Sequence, residues 1–362
     1  MPSLESQSYR FDPQPDYPFS LAVKRLWDPT SPFLDDPDAY SLLFVHGTGF
    51  HKEQWEPIIE DLYDQAGRDG SPVKLREAWT IDTPNHGDSA VWNEHVLQQG
   101  YESVFAWEEI ARSVHRLLSG LGSGVDVDFS TRKLVGIGHS SGAVGLILST
   151  TYHPPVKYSL LHLVEPMILP YDPVRNNILE GPAAKRRDTW ASKEEAMKAF
   201  QSRPSWQVWD PRVLKTYVVT LIAPHPCRKT ENIRHVQESG LRPLPTAYYP
   251  DQTEGVTLKC PRLSESAQYR DKITTTRAYN FLSTITERLP IHILYGAVDD
   301  YVPRFIKDKV INHAGGVQKF ASFHRVPGAG HLVTQTHTTE LAKAIHEVLL
   351  RPLGATSVTT RL

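Results

Sequence analysis

The sequence predicts an α/β fold, with a mostly parallel, doubly wound sheet. Three observations point there. Short continuous apolar runs at residues 41–45, 134–137 and 291–295 have the composition of strands buried on both faces. Helical spacing alternates with them, as at residues 107–118, where Ile110, Val114, Leu117 and Leu118 share one face. One strand runs directly into Gly138-His139-Ser140-Ser141-Gly142 and then an apolar, helix-like run at 143–148. That strand–turn–helix pattern puts a serine at the apex of a sharp turn.

The elements follow in order. Residues 19–27 alternate loosely and read as an early edge strand. The strand at 41–45 comes next, then a helix at 54–63, a strand at 74–81 and the amphipathic helix at 107–118. The serine strand and its helix are followed by a strand at 160–165. After a long interval come strands at 291–295 and 321–326, and a terminal helix at 341–350. The interval breaks the alternation. It carries helical pieces at 193–200 and 212–219, proline-rich links, and Trp190, Trp206, Trp209, Tyr248, Tyr249 and Tyr269. It reads as a cap inserted over the carboxyl ends of the strands, where open α/β sheets bind ligands. The expected organisation is a first core part at 1–165, a cap or lid at 166–289, and a second core part at 290–362.

Composition narrows the function classes. A formal net charge of -2 argues against nucleic-acid binding, which favours a basic stripe. Two cysteines, Cys227 and Cys260, cannot build a disulfide framework and read as ordinary thiols. No apolar run reaches the length of a membrane span, and the start at Met1 lacks the order of a signal peptide. The histidines are scattered without ligand spacing, so neither a metal nor another cofactor is expected.

The chemistry centres on Ser140. A tight elbow exposes its Oγ, and the following helix points its unpaired N–H groups at charge that develops there. Its base is expected to be His331, in the Gly-rich turn Gly328-Ala329-Gly330-His331 behind the last strand. Two acids compete to orient that histidine: Glu165, ending the sixth strand, and Asp299, following the seventh. Glu165 is preferred. The oxyanion hole is expected from the N–H of Ser141 and a second N–H in the loop after residue 45, with Thr48 first and Gly49 next. His86, in Asp82-Thr83-Pro84-Asn85-His86-Gly87-Asp88-Ser89, reads as part of a supporting turn.

With these pieces the chain resembles the α/β-hydrolase superfamily. The matching pieces are His46-Gly47, the Asp82–Ser89 turn, Gly138-x-Ser140-x-Gly142, Asp299 and Gly330-His331. The resemblance implies an α/β-hydrolase fold with a cap after the sixth strand. Serine at the elbow separates the chain from haloalkane dehalogenases and epoxide hydrolases, which use aspartate there. Leu163-Val164-Glu165-Pro166 nevertheless looks like the dehalogenase acid position. The chain is also similar to fungal serine hydrolases of secondary-metabolite and toxin pathways, some of them peroxisomal acyl-CoA hydrolases. That likeness rests on residues 43–55 and on a cap stretch containing Trp209-Asp210-Pro211 and Tyr217. In that group the acid lies after the sixth strand, which again implies Glu165.

The expected function is hydrolysis of an ester or thioester of a bulky apolar substrate, through an acyl-enzyme. A lyase, acyltransferase or cyclase on the same site, or a non-catalytic ligand receptor, are the alternatives. Lys185-Arg186-Arg187 offers cations for an acyl-CoA, although a solvated charged turn is the plainer reading. The expected partner is a small-molecule acyl substrate, with no nucleic acid and no membrane span; a homodimer is left open. The expected location is intracellular and cytoplasmic. The ending Thr360-Arg361-Leu362 is similar to the Ser-Lys-Leu peroxisomal signal and makes the peroxisome the alternative.

Overall fold

The computed structural model describes residues 3–68, 70–172, 178–218 and 239–351. Cys227 and the ending Thr360-Arg361-Leu362 lie outside them. Eleven strands are described: β1 (Glu5–Phe11), β2 (Leu21–Trp27), β3 (Tyr40–Val45), β4 (Leu75–Ile81), β5 (Lys133–His139), β6 (Tyr158–Val164), β7 (Thr189–Trp190), β8 (Leu241–Pro243), β9 (Val256–Leu258), β10 (Ile291–Gly296) and β11 (Ser322–Val326). Eight of them form one sheet in the order β1-β2-β4-β3-β5-β6-β10-β11. From β4 to β11 the pairs are parallel; β1–β2 and β2–β4 are antiparallel.

The edge is β1, so β2 is not the edge strand that its alternation suggests. The sequence of β1, ESQSYRF, buries only Phe11 and has no apolar periodicity to betray it. The central strands are buried on both faces, and alternate residues feed two separate cores. Leu43, Val45, Leu161 and Leu163 pack with the helices Glu108–Leu118 and Ser141–Ser149. Leu42, Phe44, Leu160 and Val164 pack with the helices Glu56–Ala66 and Thr338–Leu349.

The segment between β6 and β10 holds a second sheet, of three strands in the order β7-β9-β8. Its own apolar cluster contains Trp190, Phe200, Trp209, Val213, Tyr217, Leu241 and Leu258, with Trp206 stacked on Trp209 at 4.2 Å between ring centroids. Specific bonds fasten it to the core. The Asp210 N–H donates to the Gln335 carbonyl at 2.7 Å, and Arg212 grips Asp61 through two N–H groups at 2.6 and 3.0 Å. Helix Thr274–Ile285, at the end of the same segment, buries Ala278, Leu282 and Ile285 in the main core. That stretch therefore packs as part of the core layer.

Candidate active site

The site forms where β5 and β6 end. β5 delivers Ser140 with φ 54° and ψ -116°, a conformation that costs a non-glycine residue of the order of 1–3 kcal/mol. Surroundings fix it there. The Ser140 N–H donates to the Val164 carbonyl at 3.0 Å, and its carbonyl accepts from Met167 at 3.3 Å. The flanking glycines make the turn sterically feasible. A Cβ on Gly138 would lie 2.7 Å from the Ala143 backbone, and one on Gly142 would lie 2.3 Å from the Val45 carbonyl oxygen.

His331 Nε2 lies 3.0 Å from Ser140 Oγ, and its Nδ1 lies 3.2 Å from Glu165 Oε2. Ser140, His331 and Glu165 thus form a continuous chain of hydrogen-bonded groups. Glu165 is fully buried, also at positive φ, 44°. Its other oxygen, Oε1, accepts from Lys307 Nζ at 2.8 Å and from the Gly296 N–H. Burial pushes the Glu165 carboxyl up. The hydrogen bond from His331, then the charges of His331 and Lys307, outweigh that and hold it below the ordinary glutamate value.

Asp299 is not brought to His331; it lies on an exposed stretch at residues 297–300. Its neighbour Asp300 contacts the histidine loop instead, both carboxylate oxygens accepting from the His331 backbone N–H at 3.0 and 2.9 Å. A third support comes from His139, whose Nε2 donates to the His331 carbonyl at 2.8 Å. Burial pushes His139 down to about 3, so its ring is neutral.

The loop after β3 carries the expected oxyanion donors. Gly49 is not free for that role: its N–H donates to His86 Nε2 at 2.8 Å. Among the described residues the Thr48 N–H has no partner, and the Ser141 N–H is the first of its helix. The Thr48 hydroxyl donates to Gln268 Oε1 at 2.6 Å, which fixes the loop against helix Arg262–Tyr269. His86 is therefore a clamp on this loop, as its supporting-turn reading implies.

A buried charge cluster anchors the same loop. Asp82 Oδ1 accepts the Lys52 N–H at 2.8 Å, and Lys52 Nζ reaches Asp82, Asp88 and Glu53 at 3.0, 2.6 and 2.6 Å. Lys259 closes the cluster on Asp88. Burial opposes the Lys52 charge, but Asp82, Asp88 and Glu53 together hold the ammonium well above the usual lysine value. Sequence reasoning missed this cluster, as it missed Lys307 and Asp300. The Asp299-Asp300 doublet and the acidic ends of the Asp82–Asp88 turn were the available signals.

A cavity of about 390 Å³ lies beside the site, lined among others by Met167, Leu169, Tyr301, Val302, Phe305 and Ile306. Met167 bonds to Ser140, and the Tyr301 ring centroid is 5.4 Å from that of His331. The expected cations are mostly engaged elsewhere. Arg186 pairs with buried Glu265, Arg187 pairs with Glu195 at 2.6 Å, and Lys185 is exposed. Among the described residues no helix is long and apolar enough to cross a membrane.

A type I acyl-CoA thioesterase of Penicillium brevicompactum is 28% identical over 255 residues, 69% of this chain and 51% of that protein. The peroxisomal membrane protein LPX1 of Saccharomyces cerevisiae is 33% identical over 130 residues, 36% of this chain and 31% of that one. The chain thus spans about half the length, or less, of these curated relatives. Among solved structures, the peroxisomal alpha-beta-hydrolase Lpx1 of S. cerevisiae superposes with a TM-score of 0.66 at 19% identity, covering 99% of this chain and 93% of that one. The thioesterase domain from the curacin biosynthetic pathway gives a TM-score of 0.59 at 13% identity, covering 96% and 99%. The model of the alpha/beta hydrolase family matches residues 42–344, and the chain belongs to that family.

Proposed function

We propose that this protein is a serine hydrolase of esters or thioesters, with Ser140 as nucleophile, His331 as base and Glu165 as the acid that orients it. The observation that carries the reading is the run of contacts from Ser140 Oγ to His331 to Glu165, at 3.0 and 3.2 Å, with the serine on a strained elbow. His331 takes the Ser140 proton as Oγ attacks the acyl carbon. The Ser141 and Thr48 N–H groups stabilise the oxyanion, where each such donor contributes about 3–4 kcal/mol. The tetrahedral intermediate expels the thiolate or alkoxide, which takes the proton from His331. Water, activated by the same histidine, then releases the acid and restores the serine.

The cavity and the relatives support a substrate class. The apolar lining by Met167, Leu169, Val302, Phe305 and Ile306 suits an aliphatic or aromatic acyl group. Lys272 and Lys309 line the same cavity and offer cations to the phosphates of a coenzyme A leaving group. The names of the Penicillium relatives support a thioester over a simple ester. We further take the segment with the second sheet as a lid, because Trp209 packs on Phe50 of the oxyanion loop at 5.9 Å.

The test is thiol release from a series of acyl-CoA esters of increasing chain length, read alongside p-nitrophenyl esters. The expected result is turnover that rises with chain length up to a limit set by the cavity and that vanishes in Ser140→Ala. Absence of turnover on both ester classes would overturn the reading.

A further inference from the structure

Helix Arg304–His313 has two faces at the site. Phe305, Ile306 and Lys309 line the cavity. Lys307 points the other way and is fully buried, with 0% of its side chain accessible. Burying an ammonium costs several kcal/mol after relaxation, and well-packed apolar residues often replace buried ion pairs without loss. A lysine kept in such a place calls for a role beyond packing, and its contacts supply one.

Lys307 Nζ sits 2.8 Å from Glu165 Oε1 and 5.1 Å from the Tyr295 ring centroid. The Gly296 N–H donates to the same Oε1. The two donors occupy one carboxylate oxygen and leave Oε2 to His331 Nδ1, at 3.2 Å. The division of labour fixes the rotation of the carboxylate. It also gives a fully buried anion a counter-charge on the side away from the serine.

We propose that Lys307 is a positioning residue of the catalytic site: its ammonium orients the Glu165 carboxylate toward His331 and balances its charge. This rests on the serine-hydrolase reading above. Among the described residues the Glu165–Lys307 pair is faced by His331 from the loop after β11, Tyr295 on β10, and His139 on β5, whose neutral ring feels the Glu165 charge; Asp300, after β10, holds the His331 backbone. Asp308, next along the helix, is engaged by Arg325 at 3.3 Å. Lys307 is thus the ammonium in direct contact with the carboxylate.

The sign of its influence is set by charge. At low pH protonation of Glu165 removes the carboxylate that orients His331 for the serine. The Lys307 ammonium opposes that proton, because its charge favours the ionised Glu165 carboxylate. Removing the cation therefore moves the acid limb of activity to higher pH.

The experiment measures the second-order rate of labelling by a fluorophosphonate probe against pH, for wild type, Lys307→Met, Lys307→Gln and Lys307→Arg. In the Met and Gln variants the acid limb is expected to rise by roughly one pH unit, the size expected for a charge in direct contact. Lys307→Arg keeps the charge and is expected to keep the wild-type limb. Limbs that superimpose in all four proteins, with wild type labelled at Ser140, would overturn the role of Lys307 alone. A limb in Lys307→Arg displaced as far as in Lys307→Gln would do the same. If the Met variant does not fold, the Gln and Arg pair carries the comparison. An unlabelled wild type would overturn the serine-hydrolase reading itself, and the role of Lys307 with it.

Discussion

Glu165 and Asp299 show how much a single residue's surroundings decide. Both follow core strands, and in sequence each is a plausible partner for His331. In the fold one is buried against the imidazole and the other lies on an exposed loop. Glu165→Gln, which preserves shape but not charge, is expected to lower kcat by about 10²–10⁴-fold, while Asp299→Ala stays within roughly twofold. Steady-state kinetics on any ester the protein turns over checks both. Asp300→Ala should fall between them, because the Asp300 carboxylate holds the His331 backbone and makes no contact with the reacting atoms. Ser140 and His331 were legible because the strand, the glycines and the chain order constrain them locally. Lys307 was not: it is 142 positions from Glu165, and in a helix of mixed charge it reads as a surface lysine.

At the scale of elements, the loop after β3 depends on the turn after β4. Two buried histidines and a buried aspartate fasten one to the other: His46 accepts the Thr83 N–H at 3.0 Å, His86 accepts from Gly49 at 2.8 Å, and Asp82 accepts from Lys52 at 2.8 Å. Lys52→Met leaves Asp82, Asp88 and Glu53 buried without the ammonium that contacts all three. We expect a loss of about 3–5 kcal/mol in urea unfolding, as when one partner of a buried ion pair is removed. The double variant Lys52→Met/Asp82→Asn should cost less than the sum of the two single changes; simple additivity would contradict the coupling. The central strands and six of the fourteen described helices were readable to within a few residues, because both sheet faces are apolar and those helices keep their spacing. Thr274–Ile285 and Arg304–His313 were not read. β1 escaped because an edge strand needs only one buried residue, here Phe11. The charge cluster escaped because its members meet only after β3 and β4 pair.

Across the whole molecule, buried histidines tie stability to pH. Burial pushes His46, His139 and His292 down to about 3, and His86 and His162 well below their ordinary value. The folded state keeps these rings neutral, whereas the unfolded chain protonates them near pH 6.5. The stability they contribute is therefore complete above about pH 6.5 and is lost as pH falls toward 3, by up to about 1.4 kcal/mol per ring per unit. The urea midpoint should drop steadily between about pH 6.5 and 4.5; a flat profile would contradict this. His162 stands out because neither ring nitrogen has a hydrogen-bond partner among the described residues. His162→Leu should raise the melting temperature at pH 5 and flatten the slope, since it removes an unsatisfied buried group that costs about 1–3 kcal/mol.

The central claim is that Ser140 is a nucleophile driven by His331 and Glu165. Treatment of the full chain with a fluorophosphonate, followed by mass spectrometry of the adduct peptide, tests it most directly when Glu165→Ala and Asp299→Ala are run beside wild type. The account predicts an adduct on Ser140 in wild type and Asp299→Ala, and its loss or strong slowing in Glu165→Ala. An unlabelled Ser140, or a loss confined to Asp299→Ala, would contradict it.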